Sequence, residues 1–252
     1  MTEKYFDINE NGMSIRCKLY CADAKKIENM IVFGHGFGGH KDNRAAARFA
    51  AKAVSKSPRT AVLVFDWPAH GTDARSRILL DDCGSYISAV LDYVHGAMGI
   101  DSVYAHGTSF GGYCMLKYIS ENGNPFVKAA FRCPAVNMYE TFSAHILSND
   151  NVRELGKGRD TLAGFDRKVR ITPQFLEDLK ANDITKRDFL PYADDLLILH
   201  GTKDEIIAPD AVKEFCENNV IEFISCENAD HRFKDPAQLD LANSQVLAFF
   251  GI

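Results

Sequence analysis

No stretch of the chain approaches the run of about 18 apolar residues that a membrane-spanning helix needs, so no span is expected. The opening residues, MTEKYFDINENGMSIRCKLY, contain no apolar segment of the kind found in a secretory leader. The seven cysteines are odd in number and none forms a C-x-x-C pair. That argues against a disulfide framework and for reduced thiols in the cytoplasm. No zinc-type ligand spacing, internal repeat or low-complexity tract occurs. An excess of positive charge is also missing: the net charge is -5, which speaks against nucleic acid as a main partner and leaves the fold open.

What is present is ordinary for a soluble globular protein: 46% hydrophobic and 25% charged residues over 252 positions, enough for one large α/β domain or two small ones. KYFDI and SIRCKLYC read as a strand pair with Asn11-Gly12 as the turn. From there apolar runs and helical spacings alternate. The strands are NMIVFGH, RTAVLVFDW, DSVYAHG, FVKAAFRCP, DDLLILHG and VIEFISCE. The helices are NRAAARFAAKAVSK, CGSYISAVLDYVHGAM, FGGYCMLKYISE, PDAVKEFCEN and PAQLDLANSQVLAFF. Such alternation predicts a mostly parallel sheet with helices on both faces. It breaks between Pro134 and Pro191, where no buried strand is evident. A structureless loop of that length is improbable, so residues 134–191 are expected to form a helical cap or lid inserted into a core of residues 1–133 and 192–252. Thr172 is a candidate N-cap there, with Pro173 in the first helical position.

The chemistry centres on AHGTSFGGY, residues 105–113. Gly107-Thr108-Ser109-Phe110-Gly111 is a G-x-S-x-G pattern between a strand and a helix, the setting in which a serine is held on a strained turn with its hydroxyl exposed. The flanking glycines let the chain make that turn, and the helix N-terminus adds partial positive charge. Serine needs a base, and the base an orienting acid. Two later loops follow strands at the same carboxyl edge of the sheet: one carries Asp204, with Glu205 as a rival, and the other carries His231. Asp230 stands too close to His231 to orient it, and His106, His200 and His70 read as structural histidines. Cys114 falls inside the helix after Ser109 and reads as core. A developing oxyanion needs two N–H donors. Phe110 supplies one, and Phe37, in the glycine-rich HGFGGH loop, is the candidate for the other.

The ordered motifs HGFGG, DWPAHG, GTSFGG, HGTKDEIIAP and ADHRF resemble the α/β-hydrolase family over nearly the whole chain apart from the insertion. In tone they are similar to single-domain carboxylesterases, including feruloyl (cinnamoyl) esterases and monoacylglycerol lipases. The resemblance implies an α/β-hydrolase fold, Ser109 as nucleophile, Asp204 as acid, His231 as base, a small-molecule ester as substrate, and neither cofactor nor metal. Phe110 departs from the smaller or polar residue common in such esterases and is expected to narrow the pocket floor. The same triad can cleave amides, thioesters or activated C–C bonds, and a non-catalytic binding protein can keep the fold. In the insertion, Phe142, Ile146, Phe175 and Leu179 recur at roughly helical spacing and are expected to pack it onto the core. Residues 152–170 hold six Lys or Arg against three Asp or Glu. A charge cluster is usually a solvated face. The sharper expectation is that Arg153, Lys157 or Arg159 meets an anionic part of the substrate.

Overall fold

The computed structural model describes residues 1–73, 76–165 and 167–252. The chain opens with β1 (Thr2–Glu10) and β2 (Met13–Cys21), antiparallel across the Asn11-Gly12 turn, where both turn residues take positive φ (50° and 79°). That is the backbone twist a two-residue hairpin demands. β3 (Asn29–Gly34), α1 (Arg44–Lys56), β4 (Thr60–Phe65), α2 (Leu80–Asp92), β5 (Ser102–Thr108), α3 (Phe110–Asn122) and β6 (Ala129–Arg132) follow in alternation. After the insertion come β9 (Leu196–Gly201), α7 (Pro209–Asn219), β10 (Glu222–Cys226) and α8 (Pro236–Phe250). The eight-stranded sheet runs β1-β2-β4-β3-β5-β6-β9-β10, parallel from β4 to β10, with β2 antiparallel to both of its neighbours.

The central strands β3, β4, β6 and β9 are buried almost throughout because both of their faces are covered. Met30 and Val32 of β3, Leu63 and Phe65 of β4 and Ile198 of β9 face a core shared with α2, α3 and α7. Ile31, Phe33, Val62, Val64 and Leu199 alternate to the opposite face, against Phe49 and Ala53 of α1 and Val246 and Phe250 of α8. No helix among the described residues is long and apolar enough to cross a membrane. All seven cysteines carry free thiols, and Cys114 is buried in α3 as expected.

The insertion between β6 and β9 is mainly helical. It contains α4 (Met138–Thr141), which runs on into a π-helical turn at Phe142–Ile146, then α5 (Asn149–Gly156) and α6 (Pro173–Ala181). Thr172 caps α6, its Oγ1 accepting from Phe175 N–H at 3.0 Å, with Pro173 at the start. The structure adds a short antiparallel ribbon, β7 (Thr161–Ala163) and β8 (Val169–Ile171). Phe142, Phe175 and Leu179 are buried, whereas Ile146 is half-buried. Ties to the core run through Ile78 N–H to Arg170 O (3.2 Å) and Tyr113 OH to Asn182 O (2.9 Å).

Candidate active site

Ser109 stands alone between β5 and α3 with φ 53° and ψ −117°, a conformation that costs a non-glycine residue about 1–3 kcal/mol. A serine before a helix ordinarily caps it, yet the Ser109 side chain makes no capping bond. The turn is held through its backbone instead: Ser109 N–H donates to Arg132 O (3.0 Å) and Ser109 O accepts from Tyr113 N–H (3.1 Å). Glycine is required on either side for clearance. A Cβ on Gly107 would come within 2.8 Å of the Gly112 Cα, and one on Gly111 would strike the Gly34 carbonyl.

The loops after β9 and β10 are stitched together by Lys203 N–H to Ala229 O (3.0 Å) and Asn228 N–H to Thr202 Oγ1 (2.9 Å). This brings Asp204 and His231 side by side. His231 Nδ1 lies 2.7 Å from Asp204 Oδ2, and His231 Nε2 lies 3.1 Å from Ser109 Oγ. With the carboxylate accepting at Nδ1, the neutral ring keeps its lone pair on Nε2 for the serine hydroxyl. Burial alone would raise the Asp204 carboxyl, but bonds from His200, His231 and Ile207 N–H outweigh it and hold the acid well below the usual carboxylate range. Asp204 Oδ1 accepts from Ile206 and Ile207 N–H at 2.9 and 2.8 Å. Of the rivals, Glu205 is exposed and meets His231 through its backbone N–H, at 3.4 Å. Asp230 bonds to Lys234.

His200, read as a structural histidine, has a place in this network as well. Its Nε2 lies 3.1 Å from Asp204 Oδ2 and 3.1 Å from Ile207 O. Cys133, His200 and Asp204 bring potential ligand atoms within 4.8 Å of one another. Both Asp204 oxygens are already engaged, and burial pushes the Cys133 thiol up and keeps it neutral, so the trio suits a hydrogen-bond network better than a cation. His106 and His70 are buried, as a structural role demands.

The HGFGGH loop follows β3 beside the serine, where a Cβ on Gly36 would sit 3.4 Å from Ser109 Cβ. Trp67 Nε1–H donates to His35 O (2.8 Å) and His35 Nδ1–H to Gly36 O (2.9 Å), which fixes the loop. The Phe37 ring meets His70, Phe110 and Phe142 edge-on at 5.3, 5.5 and 4.9 Å between centroids. The N–H groups of Phe37 and Phe110 donate to no protein acceptor among the described residues, which leaves both available to an oxyanion.

A family model for the alpha/beta hydrolase fold matches residues 29–158. The chain belongs to the α/β-hydrolase fold family. No curated protein matches it in sequence. Solved structures extend the likeness to the whole α/β-hydrolase chain. Est1E from Butyrivibrio proteoclasticus with bound ferulic acid aligns with a TM-score of 0.78 at 17% identity, covering 97% of each chain. Alpha/beta hydrolase domain-containing protein 10 from mouse aligns at 0.75 and 17%, covering 98% of each. The esterase domain of a Rhodothermus marinus protein aligns at 0.70 and 18%, covering 99% of this chain and 98% of that one. At such identities the likeness establishes the fold, and the family supports hydrolase chemistry.

In this α/β-hydrolase a cavity of about 300 Å³ opens over Ser109 and His231. Phe37 and Gly38 line it from the core, and Met138, Thr141, Ile146, Phe165 and Arg167 from the insertion. A Cβ on Gly38 would come within 2.9 Å of Arg167 O, so the two backbones all but touch. Two sequence expectations need correction. The Phe110 ring does not narrow the cavity floor; it is fully buried beneath, stacked on His70 and edge-on to Trp67. Arg153, Lys157 and Arg159 do not line the cavity either. They are exposed and pair with carboxylates of their own segment: Lys157 and Arg159 with Glu154 at 3.0 and 3.2 Å, and Arg153 with Asp150 at 3.0 Å. The arginines that do line it are Arg132, Arg167 and Arg232.

Proposed function

We propose that the protein is a serine hydrolase of small-molecule carboxylic esters, with Ser109 as nucleophile, His231 as base and Asp204 as the orienting acid. The observation that carries this reading is the unbroken hydrogen-bond chain Ser109–His231–Asp204 beside a cavity. Ser109 Oγ attacks the ester carbonyl carbon while its proton passes to His231 Nε2. Asp204 holds the ring in the required tautomer and stabilises the imidazolium. The carbonyl oxygen, now negative, is received by the N–H groups of Phe37 and Phe110. Collapse expels the alcohol, which takes the proton from Nε2. Water then gives a proton to His231 and attacks the acyl carbon, and the acid leaves as Ser109 regains its hydrogen.

In this reading residues 134–191 act as a cap that shapes the cavity, over a catalytic core of 1–133 and 192–252. The cavity-lining residues of the insertion support that role. The seven free thiols support a cytoplasmic location. The test is a panel of ester, anilide and thioester substrates on purified protein, with fluorophosphonate labelling in parallel. Ester turnover together with labelling that disappears in Ser109→Ala is the expected outcome. Labelling without ester turnover would move the substrate class, and no labelling would remove the nucleophile.

A further inference from the structure

Arg132 is the last residue of β6, paired with Thr108 of β5 and therefore next to Ser109. It is 7% exposed and lines the cavity. Its Nε–H is buried without a hydrogen-bond partner, and the guanidinium makes no ion pair among the described residues. Asp230, the acid whose charge reaches it, is bonded to Lys234. The support it does have is the Phe233 ring, 4.9 Å from Cζ. Burial lowers the Arg132 pKa, but a guanidinium keeps its proton throughout the range in which proteins fold. A buried charge with so little compensation is costly unless a counter-charge arrives.

The surroundings are biased the same way. Arg167 lines the same cavity, and no carboxylate does among the described residues, although the chain as a whole carries a net charge of -5. Arg167 is exposed.

We propose that the cavity takes an ester that also bears a carboxylate, and that Arg132 holds this carboxylate while Arg167 attracts it at the rim. The proposal rests on the ester-hydrolase reading above and names its substrate class. A guanidinium can receive a planar carboxylate through two parallel N–H bonds, which adds orientation to the charge attraction. Met138, Ile146, Phe165 and Ile206 supply apolar wall for the rest of the molecule.

The experiment uses two matched pairs of esters with the full chain, each rate normalised to spontaneous hydrolysis. One pair puts the charge on the acyl side, mono-4-nitrophenyl adipate against its methyl-capped diester. The other puts it on the alcohol side, 4-carboxyphenyl butyrate against its methyl ester. The wild-type kcat/KM is expected to favour the charged member of one pair by at least about tenfold. Arg132→Met should collapse that ratio, and Arg132→Lys should restore part of it. No preference in either pair overturns the proposal and leaves the ester-hydrolase reading standing, as does a ratio unchanged in Arg132→Met. Should Arg132→Met fail to fold, the wild-type ratios and Arg132→Lys decide. Should no ester be turned over, the ester-hydrolase reading falls by itself, and calorimetric titration of monomethyl adipate into Ser109→Ala protein decides the site. Binding that is lost in Ser109→Ala/Arg132→Met upholds it, and absence of binding overturns it.

Discussion

His200 and His231 share one oxygen of Asp204: Nε2 of the first lies 3.1 Å from Oδ2 and Nδ1 of the second 2.7 Å from it. The acid is therefore held by a second ring that never approaches the serine. His200→Leu is expected to lower kcat by about tenfold to a hundredfold, the loss of one charged hydrogen bond. His200→Gln, which keeps a donor, should recover part of this. Steady-state kinetics on a neutral ester checks it, and unchanged kcat in His200→Leu would reduce His200 to packing.

Asp204→Asn should cost about four decades in kcat, because an amide favours the wrong imidazole tautomer. Glu205→Gln should cost less than about tenfold, since Glu205 meets only the backbone of His231. The same kinetic assay decides, and the reverse order would move the acid by one residue.

Ser109→Gly is expected to raise unfolding stability by about 1–2 kcal/mol while abolishing turnover, since glycine adopts positive φ without strain. Urea unfolding of the variant beside Ser109→Ala measures it. Equal stability of the two would mean that the Ser109 turn stores no strain.

Three of the buried histidines, His35, His70 and His106, are held neutral by their burial. Burial lowers His35 to about 4 and His70 and His106 to about 3, from an ordinary value near 6.5. The unfolded chain therefore binds more protons than the folded one between about pH 6.5 and those values, so stability falls with acidification across that window. Each histidine accounts for about 2 kcal/mol lost between pH 6.5 and 5. The Asp204 carboxyl, held low in the fold, adds a further loss below about pH 4. Urea midpoints against pH should show this slope. His106→Phe, filling the space between Phe33 and Phe49, should flatten it by up to one proton whatever it does to the absolute stability.

The parallel sheet was legible because each strand is a short apolar run closed by glycine or a polar loop, and Ser109 because glycines crowd around it where a strand meets a helix. The choice between Asp204 and Glu205 was less so. Neighbours on a loop share every sequence signal, and what separates them is that Ile206 and Ile207 N–H groups turn the Asp204 carboxylate inward. His200 was hidden by its place at a strand end, since its partner is reached only when the chain folds back four residues later. The β7–β8 ribbon escaped because strands of three residues are too short to display a period of two. Arg132 lay inside an apolar strand, where nothing in the sequence says that its side chain borders a cavity. Counting charges pointed instead to Arg153, Lys157 and Arg159, because a count does not see that they pair with Asp150 and Glu154.

The near-contact between Gly38 and the Arg167 carbonyl has a mechanical consequence. Where the mouth of the cavity meets the Phe37 loop, its width is set by main chain against main chain, so substitutions along the walls leave that gap alone. Gly38 sits at φ 73°, and any larger residue there would act as a wedge. It would drive the ribbon outward and, by reaction, tilt the peptide that presents the Phe37 N–H. In the proposed reaction, one position thus couples what can enter to how firmly a negative oxygen would be gripped, so a wider entrance made at this point would come with a looser grip.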